Sequence, residues 1–239
     1  MTTHFLYIIV GASLMACSAH LKPTFEFNEL TVQEVNNTKE PGTDHYQIKD
    51  FLKPFQDTLH QEFDAIIATT STALFVKRPG SNLMNWCADA VLSNLTANKR
   101  FNEPVICLLN TGGLRSSFGI GKLTLRDFYQ LMPFDNTITW VHLPVDRIAD
   151  IARYLQTSGG EPIANCVYRQ GQLEIPNLLP SHQYIWVLTS DFLANGGDQM
   201  RFFLGLEKQE TNILLRDVLI AQAKNQGELV LDSFIRCIP

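Results

Sequence analysis

The chain has 239 residues, enough for one large domain or two small ones. Hydrophobic residues make up 45% and charged residues 18%, a globular composition that builds a real core and is unlike that of a disordered segment. The net charge is -5 and no run of Lys or Arg forms a basic stripe, which argues against a nucleic-acid polymer as partner; a single nucleotide needs only one or two local cations.

The N-terminus opens with the apolar run Phe5 to Val10, followed by Gly11-Ala12-Ser13-Leu14-Met15-Ala16-Cys17. The run falls far short of the roughly 20 residues of a bilayer-spanning helix and has the size of a signal-peptide core. Leu14-Met15-Ala16-Cys17 resembles a bacterial lipobox, in which the Cys is lipidated and becomes the new N-terminus. This reading gives a signal peptide over 1–16 and a lipidated tether with an N-terminal extension over 17–45. It makes the chain an exported bacterial lipoprotein, membrane-anchored on the periplasmic or cell-surface side. An ordinary secretory signal, or a buried N-terminal strand, is the other reading of the same residues. With Cys17 lipidated, Cys87, Cys107, Cys166 and Cys237 remain, an even number that permits disulfides in an exported protein. Cys87 and Cys107 read as small core residues. No CxxC spacing suggests a zinc ribbon.

Thr24 to Val35 alternates as a strand would, and apolar residues recur at helical spacing from Tyr46 to Phe63. Ala65 to Ala68 is a short strand. Ser81 caps a predicted helix running to about Ala97, with Leu83, Trp86, Cys87, Ala90, Val91 and Leu95 on its inner face. A buried strand, Pro104 to Leu109, runs into the turn Asn110-Thr111-Gly112-Gly113-Leu114-Arg115. Gly119-Ile120-Gly121-Lys122 resembles part of a P-loop. Ser116 stands where the first glycine belongs, however, and Leu123 where Ser or Thr belongs, so it reads as a loop. Thr124 caps a short helix that Pro133-Phe134-Asp135-Asn136 breaks. A strand over Thr137 to Leu143 and a helix over Val145 to Leu155 follow. Next come a hairpin over Val167 to Ile175, a strand over Tyr184 to Leu188 and one helical turn over Asp191 to Ala194. The reading closes with a helix over Thr211 to Lys224 and a strand over Leu229 to Phe234. The alternation predicts an α+β fold, a mixed sheet flanked by helices.

Several chemistries find no residues here. The six His form no HxH, HxxxH or HExxH pair, and there is no GxSxG elbow. Three segments remain. Gly112-Gly113 after a strand lets backbone approach a ligand, and Arg115 can hold phosphate or ribose oxygens. Phe134, in a Pro-preset turn, is a stacking platform for a base if its ring is exposed. Gly196-Gly197 turns the chain sharply and presents Asp198, whose carboxylate can accept two hydrogen bonds from vicinal hydroxyls such as a ribose diol. Phe192 can form the second wall of an aromatic clamp. The same glycine pair also reads as a helix C-cap.

Together these segments resemble the C-terminal, substrate-recognising domain of the 5'-nucleotidase family. That family shows an Asn-Gly-Gly-Gly-Ile-Arg type loop, a Pro-Phe-Gly-Asn type turn and a Ser-Asp-Phe-x-x-x-Gly-Gly-Asp-Gly type loop. Ser81 to Ala90 resembles its Asn-Leu-Gly-Asn-Leu-x-x-Asp-Ala helix. The resemblance covers about residues 60–239, within a domain drawn over 46–239. It implies that Phe134 and Phe192 sandwich the base, Asp198 binds the ribose hydroxyls, and Arg115 binds the ribose or phosphate side. Asn110, Gly113 and Asn136 would line the site, and an upstream cation, Lys77 or Arg78, would also face the nucleotide. The sequence departs from the family pattern at Thr111, Leu114, Asp135 and Gln199. The family's metallophosphatase domain, with its divalent metal pair, is expected on a separate partner chain, leaving no cofactor and no catalytic residue in this one. Two other readings are a stand-alone nucleoside-binding lipoprotein and a degenerate structural domain.

Overall fold

The computed structural model describes residues 53–54 and 60–238. The signal peptide, Cys17 and the predicted strand over Thr24 to Val35 lie outside them. Of the helix predicted over Tyr46 to Phe63, residues 53–54 and 60–63 are described and helical.

The central sheet has five strands in the order β5-β2-β8-β4-β9. These are β2 (Val105–Leu108), β4 (Thr137–Pro144), β5 (Ile163–Ala164), β8 (Tyr184–Ser190) and β9 (Glu207–Leu214). β2 and β8 run parallel, and every other pairing in this sheet is antiparallel. Both faces are buried, which is why β2 is apolar throughout instead of alternating. Cys107 and Leu109 enter one hydrophobic cluster with Ile138, Trp140 and Leu188; Ile106 and Leu108 enter the other with Val141, Leu143, Ile185 and Val187. Helices α1 (Asn82–Thr96), α2 (Leu125–Leu131) and α5 (Leu215–Gln226) cover the first face, and α3 (Ile148–Ser158) and α4 (Asp191–Ala194) the second. Two small sheets complete the fold. β1 (Ile66–Thr70) pairs with β3 (Gly121–Thr124), and β6 (Val167–Arg169) lies between β7 (Gln172–Glu174) and β10 (Cys237–Ile238).

The predicted caps are present. Ser81 Oγ accepts from the Met84 N–H, and all six predicted inner residues of α1 are buried. Thr124 and Asp127 form a reciprocal capping box at α2. Cys87, Cys107, Cys166 and Cys237 are free and buried, and burial pushes all four thiols above their usual range.

Three predicted elements are corrected. Gly121–Thr124 is strand β3, beyond a loop that ends at Ile120. Thr211–Leu214 belongs to strand β9, and the last helix begins at Leu215. β9 is an edge strand, mostly exposed and reading Glu-Lys-Gln-Glu at its start, so it lacks the apolar alternation of a half-buried strand. Residues 229–234 form no strand. Their carbonyls go to a side chain instead: buried Asn85 donates to Asp232 O at 3.0 Å and Phe234 O at 2.7 Å. Arg236 then ties this segment to α1 through Asp89 and Asp232.

Candidate functional site

The topology gathers the three motif loops at one end of the inner strands of the central sheet. β2 and β8 are parallel, so the loops that follow them, starting at Asn110 and Asp191, leave the same side. β4 is antiparallel to β8, with Ile138 opposite Ser190, so the turn before β4 arrives at that side too. Loops beyond the carboxyl ends of parallel strands are where α/β sheets commonly bind ligands.

A cavity of about 230 Å³ opens there, lined by Asn110, Gly112, Gly113, Phe134, Asn136, Phe192 and Asp198. Larger clefts lie elsewhere, one of about 430 Å³ among Phe101, Glu103 and His182. The smaller cavity is distinguished by its walls. Phe134 is 43% exposed and Phe192 46%, so both rings present apolar surface beside a carboxylate.

The glycine pairs make the approach of these loops possible. A Cβ on Gly197 would lie 2.5 Å from the Phe192 ring, and one on Gly113 would lie 2.8 Å from Asn110 Oδ1. Asn110 Nδ2 in turn donates to Asp198 Oδ2, joining the first loop to the third. Ser190 Oγ accepts from the Leu193 N–H and caps the turn that carries Phe192. Asp198 and Gln199 both take left-handed backbone, at φ 47° and 65°. Asp tolerates that region, whereas Gln199, where the family motif has glycine, costs about 1 kcal/mol there. Burial first, then the charges of Glu161 and Asp198, pushes the Tyr154 phenol above its usual range.

The predicted cations lie outside the lining. Arg115 is exposed, with Nη1 donating to the Gly112 carbonyl at 3.3 Å. Arg78 engages Glu161 at 2.5 Å, and Lys77 is exposed.

Arg216, which no motif marks, organises the second loop. It is 5% exposed and donates to Met132 O at 3.0 Å, Phe134 O at 3.4 Å and Asp135 Oδ1 at 2.7 Å. Its guanidinium also sits 4.1 Å from the centre of the Tyr129 ring. Asp135, a departure from the family pattern that adds negative charge to this loop, is therefore matched by a cation. Thr111, another departure, gives its hydroxyl to Glu161, and Leu114 is buried.

Residues 66–151 match the family model of the 5'-nucleotidase C-terminal domain. Over these residues the chain resembles a 5'-nucleotidase C-terminal domain. The chain is 24% identical over 220 residues to an apyrase of Tabanus yao, covering 77% of this chain and 40% of that one. It is 27% identical over 156 residues to a 5'-nucleotidase of Vibrio cholerae, covering 63% of this chain and 26% of that one. It therefore spans well under half the length of these relatives. The structure of a 5'-nucleotidase precursor from Thermus thermophilus matches with a TM-score of 0.61 at 20% identity, over 81% of this chain and 43% of that one, a likeness of fold.

Proposed function

We propose that the domain recognises the nucleoside part of a nucleotide in a 5'-nucleotidase system, with hydrolysis of the phosphate ester carried out by a metallophosphatase unit on a separate chain. The observation that carries this reading is the convergence of Phe134, Phe192 and Asp198 on one cavity. A planar base fits between two exposed rings, where stacking contributes about 1–3 kcal/mol per base. A carboxylate has several acceptor sites, so Asp198 can keep Asn110 and still take a ribose diol. The cavity is smaller than the roughly 300–1,000 Å³ of a drug-sized pocket, which suits a base held inside with the sugar toward solvent. Arg115 is exposed beside the loop, and the guanidinium nitrogens other than Nη1 can meet the ribose or phosphate side.

Among the described residues no group of three or more His, Cys, Asp or Glu is placed to hold a metal ion. We place the metal pair that the family implies on the partner chain. Arg216 pairs with Asp135, the departure that puts a negative charge beside Phe134, which supports a working cavity over a degenerate domain. Isothermal titration of the protein with adenosine and AMP is the test, and heat with at least one of them is expected. Silence with both ligands rules the reading out. No AMP hydrolysis is expected from this chain alone with added Mn or Zn; co-purification of a metallophosphatase chain separates this reading from a stand-alone nucleoside binder.

We also place the domain at a membrane surface through lipid on Cys17. Cys17→Ser is expected to move the protein from the membrane to the soluble fraction; unchanged membrane association would contradict the anchor.

A further inference from the structure

Glu161 is 2% exposed, and a buried carboxylate is strongly unfavourable unless its oxygens are paired. Oε1 accepts from Arg78 Nη2 at 2.5 Å; Oε2 accepts from the Thr111 N–H at 2.5 Å and the Thr111 hydroxyl at 2.6 Å. Arg78 Nε donates to the Gly160 carbonyl at 2.9 Å, so the guanidinium grips two consecutive residues. Gly160 has φ +106°, and a Cβ there would lie 2.2 Å from the Pro79 carbonyl oxygen, so this close packing requires glycine. The sheet explains the meeting. β5 is antiparallel to β2, with Ile163 opposite Leu108, so the residues before β5 arrive beside those after β2.

The turn Thr111–Gly113 begins after Asn110, which stands at the capping position. Asn is a common cap because its side chain accepts from the first free N–H groups of such a turn. Here Asn110 makes no side-chain cap bond. Its amide donates to Asp198, and the start of the turn is held from outside by Glu161.

We infer that Glu161 is a positioning residue for the cavity: by holding Thr111 it relieves Asn110 of capping and keeps the Asn110 amide beside Asp198. Its role in nucleoside recognition rests on the function proposed above. Arg78 serves as the counter-ion that lets this carboxylate stay buried.

Glu161→Gln tests this, because a neutral amide has one acceptor oxygen and cannot accept from both Arg78 and the Thr111 N–H. In the ligand-free protein the Thr111 N–H is expected to exchange with solvent roughly ten times faster, and the Asn110 side-chain amide resonances to shift. The adenosine Kd is expected to rise roughly tenfold. Adding Asn110→Ala is expected to bring little further loss, because the effect runs through Asn110. Unchanged Thr111 exchange and Asn110 resonances in a folded Glu161→Gln protein would overturn the inference, as would fully additive losses in the double variant. If the wild type binds no adenosine, the nucleoside reading fails and the ligand-free spectra still decide the role of Glu161. If Glu161→Gln does not fold, Thr111→Val removes the hydroxyl's bond alone. A shift of the Asn110 resonances is then the expected result, and no shift the contrary one.

Discussion

Replacing Phe192 by alanine is expected to weaken adenosine binding roughly ten- to a hundredfold, the loss of one base-stacking wall. Its ring is about half exposed, so stability should change little, within about 0.5 kcal/mol as for most surface substitutions. That split between affinity and stability is what distinguishes a ligand wall from a core residue. Phe134→Ala should behave alike. Gly197→Ala offers an independent check: the added methyl would lie 2.5 Å from the Phe192 ring and must displace it. Affinity should then fall although no group has been taken from the cavity. Calorimetry on the three variants, with thermal melts alongside, reads both quantities. Unchanged affinity in Phe192→Ala would remove the clamp from the account.

The second large effect falls on stability. Arg216→Met is expected to destabilise the domain by about 2–4 kcal/mol, because charge-assisted hydrogen bonds to two loop carbonyls are lost together with the cation–π contact to Tyr129. Some of that loss is offset, since methionine has no charge to desolvate. Asp135→Asn should cost well under about 1 kcal/mol, because that partner's side chain is 79% exposed. The asymmetry follows from Arg216 holding the backbone of the Phe134 turn while Asp135 only neutralises it. Urea unfolding of the two variants measures it. Equal and small effects would show that the turn holds its shape without Arg216. A loosened turn should also lower adenosine affinity in Arg216→Met, since Phe134 loses its fixed backbone.

The sequence made the loops legible and left their supports hidden. Asn110, Gly113, Phe134, Asn136, Phe192 and Asp198 sit in short segments whose glycines, proline and aromatic residues mark tight turns; the pattern pointed to Phe134, Phe192 and Asp198, and the family resemblance added Asn110, Gly113 and Asn136. Glu161 and Arg216 carry no such mark. Each is one charged residue whose partner lies far along the chain, 50 positions for Thr111 and 81 for Asp135. Only the order of strands in the sheet brings them together. The helices α1 and α2 were readable because Ser81 and Thr124 cap them and their buried residues recur at helical spacing. β9 was not, since an exposed edge strand needs no apolar face. The segment over 229–234 reads as a strand by its apolar residues. It forms none because Asn85 on α1 takes the carbonyls that a neighbouring strand would otherwise use.

The departures from the family pattern also became intelligible only in three dimensions. Thr111 and Asp135 each meet a buried partner of matching chemistry, Glu161 and Arg216, and Leu114 joins the core. Gln199 alone has no compensating contact in the structure to explain it.

The central claim is that one cavity holds a nucleoside between two rings and a carboxylate. A crystal structure of the protein with adenosine measures this most directly. The account predicts adenine between Phe134 and Phe192, with the ribose hydroxyls on Asp198. Adenosine bound at another cleft, or in this cavity without contact to either ring, would contradict it.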